Sequence, residues 1–131
     1  MALLAALFVS TIFGLESARA EEKNRLFEIR TYYANEGKLD ALKARFRDHT
    51  VALFKKHGMT NIGYWVPVDN KDNKLVYILA FPSKEARKKA FQGFINDPVW
   101  KAAYKASTKD GKLVKKIDSE FLTGTDFSAI K

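Results

Sequence analysis

Three residues with side chains suited to chemistry alternate along one short segment of the chain: Glu28, Arg30 and Tyr32. The segment is rich in strand-forming residues, and side chains two positions apart on a strand share a face. An arginine can hold an anion and a carboxylate can move a proton, so this face predicts a pocket for a small ligand. Tyr77 and Glu120, on two other predicted strands, are candidates to join it. The alternative is an ion pair between Glu28 and Arg30 that only fixes a dimer, because buried charges are costly unless paired.

His49 and Trp65 are weaker candidates than these strand residues. His49 follows Phe46 by three residues on a predicted helix. We therefore expect it on or beside the apolar stripe, bonded to a neighbouring carboxylate rather than catalytic. His57 falls in the last turn of the same helix, where a cation suits the helix dipole. Tyr64 and Trp65 lie on opposite faces of a predicted strand. One belongs to the core and the other to a pocket or an interface, and the sequence leaves open which.

The composition excludes several classes of active site. The chain has 131 residues, no cysteine and two histidines. Without cysteine there is no disulfide scaffold, zinc finger, iron–sulfur cluster or thiol catalysis. No segment matches a P-loop, a dinucleotide-binding, metalloprotease or serine-hydrolase motif, or an EF-hand. Neither histidine is predicted to face the interior of a sheet dimer, which argues against haem. We therefore expect no metal and no cofactor.

The net charge of +8 comes from short lysine-rich segments on predicted helix and strand faces. Lysines spaced in this way are typical of solvated faces. The chain contains no helix-turn-helix, no RNA-recognition aromatic motif and no arginine cluster, so we expect no nucleic-acid partner. Weak contact with anionic lipid or cell-wall polymer is the alternative use of the surplus charge.

The elements that must position these residues form one α+β unit. Strands are predicted at residues 25–33, 60–68, 74–81 and 113–122, and an amphipathic helix at residues 37–57. Ser83 is a candidate N-cap for a second helix, and Asp97 with Pro98 opens a further one. The resulting order, β-α-β-β-α-β, predicts a ferredoxin-like fold.

The third predicted strand, at residues 74–81, is apolar on both faces. Helices cover only one face of such a sheet, so a monomer would expose a large apolar patch, which soluble monomers rarely do. A homodimer with two sheets packed face to face resolves this. We expect that dimer to enclose the face that carries Glu28, Arg30 and Tyr32.

The first twenty residues differ from the rest. Residues 2–15 carry no charge and form a run of about 14 mostly apolar residues, whereas a bilayer span needs about 20. Ala18-Arg19-Ala20 follows as a small-x-small cleavage pattern, although no Lys or Arg precedes the apolar run. We expect a signal peptide at residues 1–20 and a periplasmic or secreted domain at residues 21–131, without stable membrane insertion after cleavage. The alternative is an uncleaved membrane anchor.

Several segments, in order, resemble the NIPSNAP family: FEIRTYYANEGKLDALKARFRDHTVALFKKHGM, NIGYWVP, LVYILAF and DPVW. The resemblance covers residues 26–127. It implies a dimeric α/β barrel, the fold shared with antibiotic-biosynthesis and haem-degrading monooxygenases. Animal members are associated with mitochondria and mitophagy signalling. The apolar leader and the lysine-rich second helix of this chain depart from that pattern.

Two functions from different classes follow from the resemblance. The first is an exported, non-catalytic dimer that binds a small ligand or a partner in the barrel interior. The second is a small cofactor-independent monooxygenase or isomerase that acts in the same cavity, as related barrels do. Because no residue pattern names a reaction, we expect the binding protein.

Overall fold

The computed structural model describes residues 25–131, so the predicted signal peptide lies outside the described residues. Within them the strands are β1 (Leu26–Ala34), β2 (Thr60–Trp65), β3 (Lys74–Phe81) and β4 (Val114–Thr123). The helices are α1, which runs from Leu39–Arg45 through a π-helical turn at Phe46–Thr50 to Val51–Lys56, α2 (Lys84–Asn96) and α3 (Pro98–Ser107). The predicted elements form with small shifts at their ends. The largest shift is in β2, which ends at Trp65 rather than at Val68.

The strands form one sheet in the order β2-β3-β1-β4, and each neighbouring pair is antiparallel. In the centre of the sheet, Arg30 of β1 lies opposite Tyr77 of β3 on one side and Ser119 of β4 on the other. Chain order and strand order together define a ferredoxin-like α+β fold. The predicted fold class is confirmed.

Two local signals set the starts of the second and third helices. The Ser83 hydroxyl accepts a hydrogen bond from the Ala86 backbone N–H at 3.1 Å, which caps α2. The Asp97 carboxylate accepts one from the Val99 N–H at 2.9 Å, and Pro98 occupies the first turn of α3. Both predicted caps are therefore present.

The core lies between the helices and one face of the sheet, called here the helix face. β3 supplies every second residue to it: Leu75, Tyr77, Leu79 and Phe81, all buried. Phe46 and Phe54 of α1 pack their rings against Tyr77, with centroids 5.1 and 6.1 Å apart. The opposite face of the sheet, called here the open face, has no helix on it in the described part of the chain.

The strand register corrects one prediction. Glu28, Arg30 and Tyr32 pair across to Leu79, Tyr77 and Leu75, so they share the helix face with the core. The expectation that a second sheet encloses them is wrong. Alternation along β1 fixes which residues share a face, but the face that the helices cover depends on β3, where the larger side chains point toward α1.

The π-helical turn corrects a second prediction. In this turn the Thr50 hydroxyl donates to the Arg45 carbonyl at 3.3 Å, five residues back. The wider turn places Phe46 and Thr50 in the core and leaves His49 exposed. The prediction of His49 as a core histidine is therefore wrong, because it assumes a regular α-helical period across this segment.

The open face is apolar and partly solvent-exposed. A shallow groove of about 230 Å³ runs across it, and the residues that line it include Phe27, Ile62, Trp65, Ile78, Leu122 and Ile130. The Trp65 side chain is 52% exposed and its ring occupies the space that a Cβ on Gly63 would need. The predicted apolarity of both faces of β3 is thus present in the structure.

Among residues 25–131, no helix combines the length and the apolar character that crossing a bilayer would require.

Candidate functional site

A cavity of about 490 Å³ lies between the helices and the helix face of the sheet, and is called here the helix-side cavity. Arg30 and Tyr32 of β1 form its floor, and Arg45 of α1 contributes to its wall. The remaining wall is mainly aromatic, from Phe46, Phe54, Phe91, Phe94, Trp100 and Tyr104. A concave apolar site with a few polar groups is the usual form of a small-molecule site.

The Arg30 guanidinium is held on three sides. Its Nε donates to the Tyr77 hydroxyl at 2.9 Å, and its Nη2 reaches the Tyr32 hydroxyl at 3.4 Å. Its Nη1 donates to the Glu28 carboxylate at 3.3 Å. The cation also lies 5.1 Å from the centroid of the Phe91 ring on α2. Three of the sequence-predicted candidates therefore meet at Arg30, in a single protomer.

Glu28 is fully buried, and its carboxylate is saturated with donors. Arg87 of α2 donates to both of its oxygens, at 2.7 Å to Oε2 and 3.2 Å to Oε1. The Ser119 hydroxyl adds a bond of 3.3 Å. The predicted ion pair with Arg30 is present within one protomer. The bonds from Arg87 and Ser119 to the same carboxylate tie β1 to α2 and β4. A carboxylate engaged in this way has no lone pair free to accept a substrate proton.

Tyr77 remains a phenol at neutral pH. Burial raises the pKa of Tyr77 well above its ordinary value, and the neighbouring Tyr32 adds to the rise. Burial alone would lower the pKa of Arg30, but Tyr77, Tyr32 and Glu28 outweigh it and raise that pKa. The cluster is thus a fixed cation held by two tyrosine hydroxyls and by the Glu28 carboxylate, which is itself engaged with other donors.

Tyr64 lies on the inner side of β2 and Trp65 on the outer side, which settles the alternative left open by the sequence. The Tyr64 ring stacks on Tyr77 with centroids 5.1 Å apart, and its hydroxyl donates to the Asn61 side chain at 2.5 Å. Burial raises the pKa of Tyr64. Tyr64 does not line the helix-side cavity. It belongs to a smaller groove on the other side of Phe46.

Glu120 does not join the cluster. It pairs with Ile29 across β1 and β4, which places it on the open face, where it is exposed. Within residues 25–131, no group of three or more His, Asp or Glu side chains is gathered closely enough to hold a metal ion.

Arg45 is a cavity residue that is not among the sequence-based candidates. It is only 6% exposed, and its Nη1 donates to the Ser107 hydroxyl at 3.1 Å. Its guanidinium lies 5.2 Å from the ring centroids of both Trp100 and Tyr104 on α3. Its Nε is buried without a hydrogen-bond partner among the described residues. The sequence gives one indication that Arg45 is buried, because Arg45 follows Leu42 by three residues and so lies on the apolar stripe of α1.

A second polar cluster joins the end of α1 to the start of α3, away from the cavity. His57 Nε2 lies 2.7 Å from Asp97 Oδ2, and Lys56 Nζ donates to the same oxygen at 2.8 Å. Lys56 first, then His57 and the Val99 N–H, hold the pKa of Asp97 well below its ordinary value. His57 does end α1, as predicted, but it also contacts the cap of another helix.

The fold resembles several solved structures. A NIPSNAP family protein of unknown function from Agrobacterium tumefaciens superposes with a TM-score of 0.73 at 24% identity, covering 83% of this chain and 96% of that one. A second from the same organism gives 0.72 at 20% identity, covering 82% and 99%. SnoaB, a cofactor-independent oxygenase from Streptomyces nogalater, gives 0.58 at 15% identity, covering 81% and 98%. At these identities the likeness shows the fold alone.

A comparison with functionally curated proteins gave no match. The comparison with family profiles did: the NIPSNAP profile matches residues 27–129, which include β1 from its second residue, the other three strands and all three helices of the described part of the chain. The chain belongs to the NIPSNAP family.

Proposed function

We propose that the protein binds a small organic ligand in the helix-side cavity and does not transform it. The observation that carries this is the cavity itself: about 490 Å³, walled by six aromatic rings and floored by Arg30. That volume falls within the usual range for small-molecule sites, about 300–1,000 Å³. No carboxylate or imidazole of residues 25–131 lines it, so the described site holds polar groups for orientation but no proton acceptor of these types.

The active form in this proposal is a homodimer that packs through the open face. Support comes from the apolar groove around Trp65, Ile78 and Leu122, which no described helix covers. Stable interfaces bury roughly 1,200–2,000 Å² in total, a size that two four-stranded sheets can supply. Because the cavity lies on the other side of each sheet, a dimer of this kind leaves both cavities accessible.

Export is part of the same proposal. It is supported by the uncharged run at residues 2–15 and by Ala18-Arg19-Ala20. N-terminal sequencing of protein recovered from the periplasm or medium should begin at Glu21. Recovery of a chain that still begins at Met1 would contradict cleavage and favour the retained anchor.

Native mass spectrometry of protein purified from the exporting cell tests the binding proposal. We expect a mass above that of the polypeptide, and the extra mass should be lost on denaturation. Val114→Trp is designed to fill the cavity, because Val114 lines it, and should remove the extra mass. Val68→Trp is the matched control, since Val68 is fully exposed. A bare polypeptide mass, or equal occupancy in both variants, would overturn the proposal.

The alternative is the cofactor-independent oxygenase, the activity named for the structural neighbour SnoaB. Incubating the ligand released from the purified protein with that protein distinguishes the two functions. If aerobic incubation with the protein consumes oxygen and changes the mass of the ligand, the oxygenase replaces the binding protein. If the ligand is recovered unchanged, binding stands.

A further inference from the structure

The charge of Arg45 is not balanced within the described part of the chain. The ion pairs of residues 25–131 join other side chains, and none includes Arg45. Its single side-chain hydrogen bond goes to the neutral Ser107, and its buried Nε has no partner. Burial lowers the pKa of Arg45, which is the shift expected for a cation without a counter-ion.

The other two arginines near the cavity differ from Arg45 because they have a counter-ion. Arg30 and Arg87 share the Glu28 carboxylate at 3.3 and 2.7 Å. One buried anion thus neutralises that pair in part, while Arg45 receives nothing comparable. A buried charge that lacks a partner costs several kilocalories per mole, so a site that keeps one is suited to an anion from outside.

The rim of the helix-side cavity is positively charged, like Arg45. Lys112 and Lys115 line it where β4 begins, and no acidic residue of the described chain does. Lys116 also borders it, but its ammonium group lies on the open face, 4.8 Å from the Tyr33 ring and 3.3 Å from Asp118. Clustered positive charge at the mouth of a cleft concentrates anions there and speeds their entry.

The walls next to Arg45 suit a flat apolar group. Trp100 packs 4.5 Å from Phe94 and 5.7 Å from Tyr104, centroid to centroid, so the rings form a continuous aromatic surface beside the guanidinium. Aromatic surfaces of this kind favour planar apolar groups, which stack against them.

From these contacts we infer that the ligand of the helix-side cavity is an aromatic carboxylate whose carboxylate group pairs with the Arg45 guanidinium. The inference rests on the proposed function and adds the chemical class of the ligand. Arginine is suited to this role because its planar fork can donate two parallel hydrogen bonds to one carboxylate.

The test compares two probes of one shape, 2-naphthoate and the uncharged 2-naphthamide, by calorimetry. We expect naphthoate to bind the wild-type dimer at least about tenfold more tightly, because hydrogen bonds to a charged partner are roughly twice as strong as neutral ones. Arg45→Gln should remove that preference. Arg47→Gln is the matched control, since Arg47 is on the same helix but exposed, and it should keep the preference.

A spectroscopic measurement covers the case in which Arg45→Gln fails to fold. In the wild-type protein, the Nε–H proton resonance of Arg45 should shift with naphthoate and not with naphthamide. Arg45→Lys, which keeps the charge but not the fork, should fold and bind naphthoate with intermediate affinity.

Equal affinity for the two probes would overturn the inference while leaving the proposed function in place. A preference that survives in Arg45→Gln would also overturn it, because the anion would then bind elsewhere. If neither probe binds, the released native ligand decides: a neutral molecule overturns the inference and an aromatic acid supports it. A bare native mass together with no probe binding overturns the proposed function as well.

Discussion

The helix face and the open face of the sheet distribute polar and apolar residues in opposite ways. On the helix face, Glu28 and Arg30 lie at the centre of the sheet and are buried or nearly so. On the open face, Ile78 and Leu122 line a groove that is open to solvent. The difference shows that neighbouring groups determine which residues of the sheet are buried. The charged residues are covered because each has a counter-charge, whereas the apolar face has no partner within one protomer.

The largest expected effect comes from breaking the charge balance on the helix face. Glu28→Gln keeps the shape of the side chain but leaves Arg30 and Arg87 without their shared anion. We expect a loss of about 3–5 kcal/mol in the free energy of unfolding, because removing one member of a buried charge pair leaves uncompensated charge. Urea denaturation measures it.

Glu120→Gln is the control for that substitution, since Glu120 is on the open face and exposed. Its effect should stay within about 0.5 kcal/mol, as for most surface changes. If the two variants lost equal stability, burial and pairing of Glu28 would not be the reason for its cost.

The second effect tests the open face. Ile78→Asp places a carboxylate in the centre of the proposed interface, where it would be buried without a partner. We expect the dissociation constant of the dimer to rise at least about 30-fold, which corresponds to the ~2 kcal/mol of one lost apolar side chain. Sedimentation velocity over a dilution series measures it.

Val99→Asp provides the comparison for Ile78→Asp, because Val99 is equally apolar, 54% exposed, and located on α3 away from the open face. It should leave the dimer unchanged. A wild-type protein that is monomeric and well folded at micromolar concentration would refute packing through the open face.

The third effect tests the polar cluster of Lys56, His57 and Asp97, which joins α1 to α3. Gly93 of α2 faces His57, and a Cβ there would lie 2.7 Å from His57 Nδ1. The His57 ring cannot retreat freely, because Asp97 holds it at 2.7 Å. We expect Gly93→Ala to cost about 1 kcal/mol in thermal unfolding, as overpacking does.

The effect of Gly93→Ala on stability should change sign once the His57 ring is removed. In a His57→Ala background, Gly93→Ala should stabilise the protein by up to about 1 kcal/mol, since alanine favours a helix interior over glycine. A destabilisation that persists in that background would show that some other contact opposes the methyl group.

The smallest expected effect is a change in how the melting temperature depends on pH. The pKa of Asp97 is depressed in the folded protein, so its charge stabilises the fold above the ordinary carboxyl pKa of about 4. That contribution falls as the pH drops from about 4 toward the lower folded pKa. Asp97→Asn keeps the cap to Val99 but not the charge, so its melting temperature should fall less steeply below pH 5.

Asp69→Asn is the corresponding control, because Asp69 is exposed and its nearest cation is 3.7 Å away. Its melting curve against pH should follow that of the wild-type protein. Parallel curves for the wild type and Asp97→Asn would mean that Lys56 and His57 do not act on the folded-state charge of Asp97.

The elements of the fold could be predicted because their signals are local. Ser83 and Asp97 cap helices through bonds to residues two or three positions away, and Pro98 fits only a first turn. The order of strands and helices then limits the topology to very few arrangements. The shared face of Glu28, Arg30 and Tyr32 was predictable for the same reason, because alternation is a property of one strand.

The composition of the site was less predictable because it depends on distant contacts. Which face of β1 the helices cover is set by its pairing with β3, about fifty residues away in sequence. Arg87 looks like an ordinary helix-surface arginine until Glu28 is placed beside it. Arg45 lies on the apolar stripe of α1, but its periodicity does not reveal the α3 rings around it, because those come from another element.

The π-helical turn at Phe46–Thr50 makes α1 a helix with two different phases. An α-helix advances by about 100° per residue, so one extra residue in a turn rotates everything after it by that angle. Leu42 and Phe54 both reach the core only because this rotation lies between them. Deleting one residue from the turn would leave Leu42 and Phe54 eleven residues apart in a regular helix, about 20° from a common direction, so both would still face the core. Related sequences aligned without a gap here would be expected to keep the turn, and those with a single deletion here to have a regular helix with the same side toward the sheet.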